Sequence, residues 1–115
     1  MTVDREAMVS RLWQALNNRD GATAAPLLHP DVDYVNLIDG GRLLGRDAVV
    51  DYWRRSASEL SYEATPLTFE ARPDGRLAVR IQHTVRRLDG RMWTDGNILH
   101  VFTFADGLIA RMDVE

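Results

Sequence analysis

Residues 91–115 read RMWTDGNILHVFTFADGLIARMDVE, and this stretch decides the fold. β-Branched and aromatic residues crowd both of its halves. Between them, Ala105-Asp106-Gly107 supplies residues suited to the positive φ of a tight turn. The stretch therefore predicts two strands joined as a hairpin. His100 lies in the middle of ILHVF, an otherwise apolar segment. The expectation is a hairpin that floors a curved sheet around an apolar pocket, with His100 looking into that pocket.

Upstream, the strand pattern continues. Residues 61–72 and 76–88 read as two further strands, separated by Asp74-Gly75 and followed by Asp89-Gly90. Pro66 predicts an edge position or a bulge, because proline cannot donate to the ladder. If Asp89-Gly90 is a two-residue turn, Val79 lies opposite His100 and His83 opposite Gly96. His83, His100, Val79, Ile81, Ile98 and Phe102 then share one face, and Arg80, Gln82, Thr84, Asp95 and Asn97 the other. A three-residue turn at 105–107 would put Met112 beside His100, with Asp113 pointing outward. Gly96 leaves an alternative open: a bulge there would slip the pairing and bring His100 to the face of Arg80 and Gln82.

The first half is mainly helical. Met8, Val9, Leu12, Trp13 and Leu16 recur at helical spacing and predict a helix from about Asp4 to Asn18. Asp20 can cap a second helix that ends near His29-Pro30. Residues 32–38 (VDYVNLI) read as a strand, 39–45 as a turn region and 46–57 as a third helix. Helices followed by a strand meander predict an α+β domain with helices on one face of an antiparallel sheet. Because ILHVF is apolar at nearly every position, both its faces should be covered, the outer one by a second copy. A homodimer through the outer sheet face is thus expected.

At 115 residues the chain has the size of one domain, residues 1–115. Its net charge of -3 argues against nucleic acid or an anionic membrane as partner. Cysteine is absent, which removes disulfides, thiolate nucleophiles and zinc–thiolate sites. All basic residues are arginines, read as compositional bias. The acid-containing N-terminus is not a signal peptide and no apolar run could span a bilayer, so a cytoplasmic location is expected. His29, His83 and His100 lack metal-ligand spacing, and no serine sits in an elbow motif. No metal and no cofactor are expected.

RLWQALNNRDGATAAPLLHPDVDYVNLIDGGRLLGRDAVVDYW followed by HVFTFADGLIARMDV resembles the nuclear-transport-factor-2-like (NTF2-like) superfamily, within it the SnoaL-like and ketosteroid-isomerase-like proteins. The resemblance implies a cystatin-like, cone-shaped curved sheet wrapped around N-terminal helices, a ligand pocket inside and frequent dimers. It also implies a choice among isomerases, cyclases, dehydratases and purely binding members, since fold does not fix function. The position of the isomerases' helix-1 tyrosine falls on Leu12, that of their general-base aspartate on Asn36 and that of their second acid on His100. Standard ketosteroid isomerisation is therefore not expected.

The family arrangement places residues 32–38 beside the last strand, two strands and ~10 Å from His100. His100 could act as general acid or base while Asn36, or Tyr34 beside it, donates to an enolate-like oxygen. Such help is worth about 10²–10⁴-fold in rate. Leu12, Trp13, Leu16, Trp53, His83, Phe102 and Met112 are the expected substrate contacts, and the ligand a small apolar organic molecule. The rival expectation is a non-catalytic binding or association domain, with His100 a satisfied core residue and the pocket filled by its own side chains.

Overall fold

The computed structural model describes residues 4–115; the first three residues of the N-terminal reading lie outside that range. Helix α1 runs Arg5–Asn17, with the Asp4 carboxylate accepting from the Ala7 N–H at 3.1 Å as the N-cap. A four-residue α2, Gly21–Ala24, is capped by Asp20 and passes into a 3₁₀ turn, Ala25–Leu27. The second helix thus ends before His29, which belongs to strand β1, Leu28–Val35. Pro26 at the start of the 3₁₀ turn supplies no N–H, which closes the α-helical pattern early. A short β2, Arg42–Leu44, lies where a turn was expected, and α3 follows at Arg46–Glu59. Strands β3 (Leu60–Ala71), β4 (Leu77–Arg87), β5 (Met92–Ala105) and β6 (Leu108–Val114) complete the chain.

The six strands form one sheet in the order β2-β1-β6-β5-β4-β3, antiparallel except for the parallel β1–β6 pair. As expected, the first strand lies beside the last, two places from β5. The pairing of β4 with β5 also follows the sequence reading: Val79 faces His100 and His83 faces Gly96, with no slip at Gly96. Pro66 sits on edge strand β3 next to a bulge, so both readings of that proline hold.

The last hairpin differs from expectation. Asp106 and Gly107 both take positive φ, 55° and 77°, and form a two-residue turn with Ala105 opposite Leu108. Ala110 is then left over between the pairs Phe104–Ile109 and Thr103–Arg111. Phe102 consequently faces Met112, and His100 faces Val114. That bulge resets the alternation, which is why Ile109 and Met112, three residues apart, are both fully buried on the inner side.

The core lies between α1, α3 and the inner face of the sheet. Asn17 fastens α1 in place: its carboxamide donates to the Ala64 carbonyl at 2.7 Å and accepts from the Ala64 N–H at 2.8 Å. On the outer face, Val101 and its neighbour Ala78 are buried within the single chain. Asp113 points outward as expected and pairs with Arg111 at 2.8 Å. No helix among the described residues is long and apolar enough to cross a membrane.

Candidate functional site

A cavity of about 370 Å³ opens between α1, α3 and the inner face of β1, β3, β4 and β5. Its lining carries no Asp, Glu or Arg side chain, so a bound charge would find no counter-ion there. All three tryptophans and all three tyrosines of the chain border it, whereas none of the three phenylalanines does. Aromatics with a polar handle thus gather where a ligand would be both packed and hydrogen-bonded.

His100 stands at the inner end, 2 % exposed. Its ring lies 5.2 Å from that of Trp13 on α1 and 6.1 Å from Phe102, between centroids. Neither His100 nitrogen has a hydrogen-bond partner among the described residues, and Trp13 Nε1 has none either. Burial, aided by the positive potential of His83, pushes the His100 imidazole down to about 3. The ring is therefore neutral at physiological pH, with one N–H and one bare nitrogen.

The other polar groups of the wall are better matched. Trp53 stands beside the Tyr34 phenol and the Leu37 backbone beside that of Tyr52, and each offsets part of the effect of burial on its phenol. Ser56 Oγ donates back to the Tyr52 carbonyl at 2.8 Å within α3. Burial raises all three phenols, that of Tyr62 up to about 12, so they remain neutral donors. Among the described residues, the fully buried side-chain nitrogens and oxygens left without a partner are those of His100 and Trp13.

Of the residues singled out from sequence, His100, His83, Tyr34, Trp13, Leu16 and Trp53 line this cavity. Leu12, Phe102 and Met112 do not; they are fully buried in the core. Met112 is displaced by the altered β5–β6 pairing and lies opposite Tyr34 and Phe102. Asn36 also falls outside the lining. Strand β1 ends at Val35, and the Asn36 carboxamide oxygen accepts from the Ile38 and Asp39 N–H groups at 3.2 and 2.9 Å. It is a turn former that shapes the β1–β2 hairpin, so the pairing of Asn36 with His100 is not realised. Tyr52, Tyr62 and Trp93 are the lining aromatics that sequence reasoning missed. Tyr52 adjoins Trp53 on the apolar stripe of α3, a signal that could have marked it.

Among the described residues no group of three or more His, Asp or Glu could hold a metal ion. The arrangement provides an aromatic-walled cavity without Asp, Glu or Arg in its lining, with two or more N–H donors and one basic nitrogen at its end.

Comparisons agree with this geometry at the level of the fold. An NTF2-like protein of unknown function from Burkholderia pseudomallei is 21 % identical, with a TM-score of 0.83 over 100 % of this chain and 91 % of that one. A putative polyketide cyclase from Sinorhizobium meliloti is 24 % identical, with a TM-score of 0.80 over 95 % and 94 % of the two chains. A Mycobacterium tuberculosis protein in complex with estradiol-17beta-hemisuccinate is 14 % identical, with a TM-score of 0.82 over 95 % and 90 %. No curated protein matches the chain. The SnoaL-like domain matches residues 9–112, from the second turn of α1 to the middle of β6, and with that span covered the chain belongs to the SnoaL-like family.

Proposed function

We propose that the cavity binds a small, uncharged, ring-containing organic molecule bearing an oxygen, and that His100 moves a proton on it without a cofactor. The observation that carries this reading is the set of unpartnered buried nitrogens, both of His100 and that of Trp13, beside an open volume of about 370 Å³. Buried polar atoms are almost always satisfied, and a cluster that is not marks a place where an external partner completes the network. A ligand carbonyl accepts from Trp13 Nε1–H while the bare His100 nitrogen takes a proton from the adjacent carbon. The protonated ring then returns that proton to another atom of the same ligand, which is the balance of an isomerase, a cyclase or, with loss of a hydroxyl, a dehydratase. The low basicity belongs to the empty cavity, and negative charge developing on the ligand oxygen raises it.

One observation favours a second reading, binding without turnover: an imidazole pushed down to about 3 is a weak base at neutral pH. Two measurements separate the readings. Calorimetric titration with 4-phenylphenol should show binding that weakens at least tenfold in His100→Leu, since a hydrogen bond to a buried ring is lost. NMR in D₂O should show that the protein accelerates α-proton exchange of 2-tetralone by about 10²-fold or more, and that His100→Leu does not. Binding without exchange establishes the second reading; absence of binding to either compound removes both.

The reading includes association of two copies through the outer sheet face. It is supported by the apolar run at residues 98–102, although Val101 and Ala78 are already covered within one chain. Sedimentation equilibrium decides it, a monomer ruling it out.

A further inference from the structure

Trp93 owes its position to an irregularity. Val85 faces Thr94 but Arg86 faces Met92, so Trp93 is the residue left over between two ladder pairs. On a regular strand Trp93 would share the outward side with Asp95 and Asn97, because successive side chains alternate. The bulge breaks that alternation, and Trp93 and Thr94 both line the cavity. The cause lies in the hairpin loop. Arg87 N–H donates to the Arg91 carbonyl at 2.8 Å, leaving Leu88-Asp89-Gly90 as a three-residue loop, and the extra residue at Trp93 restores the register that the loop offsets.

The indole so delivered differs from its two counterparts. Trp13 and Trp53 are 7 % and 6 % exposed, whereas Trp93 is 42 % exposed at the opposite end of the cavity from His100. Between those ends on β5 lies Gly96, where an added Cβ would meet nothing within 4 Å, so no side chain at position 96 divides Trp93 from His100. Thr94 and His100 are six positions apart on β5, about 20 Å of rise before the two side chains lean inward. A single-ring ligand held at His100 cannot reach the rim, and each further ring carries a ligand nearer to it.

The geometry points to Trp93 as a specificity-determining residue: its indole stacks on the distal ring of an elongated ligand and closes the mouth over it. This rests on the cavity reading above and adds the residue that selects ligand length. The test is calorimetric titration of wild type, Trp93→Ala and Trp93→Phe with phenol and with 4-phenylphenol. Trp93→Ala should bind 4-phenylphenol about tenfold more weakly, with phenol unchanged, and Trp93→Phe should restore most of the loss. Equal affinity of wild type and Trp93→Ala for 4-phenylphenol overturns the assignment while the His100 dependence stands. Equal losses for both probes overturn it too, since ring count then has no bearing. A wild type that binds neither probe sinks the cavity reading and this assignment together.

Discussion

The two faces of the sheet satisfy their polar groups in opposite ways. Outside, Asp33, Arg42, Asp113 and Arg111 close a ring of ion pairs at 2.6, 3.2, 2.8 and 2.8 Å across β2, β1 and β6. Arg42 also donates to the backbone carbonyls of Asp33 and Met112. Inside, three ring nitrogens of His100 and Trp13 have no partner although they are cut off from water. Half-exposed carboxylates and guanidiniums could have been left to solvent at little cost. Unpaired buried nitrogens cost about 1–3 kcal/mol each, so the inner face holds the less stable arrangement. The fold keeps its polar order where it is needed least for stability and omits it where a ligand would enter, a pattern of function traded against stability.

The inner face itself divides into core and cavity, and Phe102 against His100 is the sharpest contrast. Both are on β5, two residues apart, but Phe102 touches no open volume. Phe102→Ala should cost about 3–5 kcal/mol of unfolding free energy, read from urea denaturation, because it opens a void that the surroundings cannot fill. A cost below ~1 kcal/mol would mean that the division between core and cavity is misplaced.

The next effect belongs to His100 alone. In the fold its imidazole stays neutral down to about 3, whereas the unfolded chain protonates it near 6.5. Below 6.5 the unfolded state binds a proton that the native state does not, so stability falls as the pH falls, by about 1.4 kcal/mol per unit. Between pH 6.5 and 4.5 the loss should be about 2 kcal/mol, and His100→Leu should remove it while raising stability at pH 7. The outer-face carboxylates Asp113 and Glu115, held below their ordinary range by Arg111 and Arg72, add to the acid loss only at lower pH. An unchanged slope in His100→Leu would show that the ring is solvated.

Much of this was legible in the sequence. The face that His100 shares with Val79, Ile81 and Ile98 follows from the register set at Asp89-Gly90, and the neighbouring strands from the Asp-Gly turns. Yet the β4–β5 register came out right through two compensating departures: a loop one residue longer than Asp89-Gly90 suggests, and a bulge at Trp93. At 105–107 the two departures add instead of cancelling, a turn one residue shorter than expected and a bulge at Ala110, and Met112 was misplaced. Bulges leave little trace in composition, because they are set by how twisted strands fit against helices. Asn36 was misread for a local reason: alternation from Tyr34 holds only while the strand lasts, and the asparagine side chain ends it by binding its own turn.

The smallest effect tests the outer face. Asp33 takes Arg42 Nε on one oxygen and Arg111 on the other, with its side chain 28 % exposed. Asp33→Asn removes the charge but keeps one acceptor oxygen, so both guanidiniums retain Asp113 as partner. The loss should be about 1 kcal/mol at low ionic strength and shrink toward nothing near 1 M salt, where the screening length falls to about 3 Å. Affinity for 4-phenylphenol should not change, since Asp33 lies across the sheet from the cavity. A salt-independent loss of several kcal/mol would place the ring among buried networks, and the outer face would then carry structure that its exposure does not suggest.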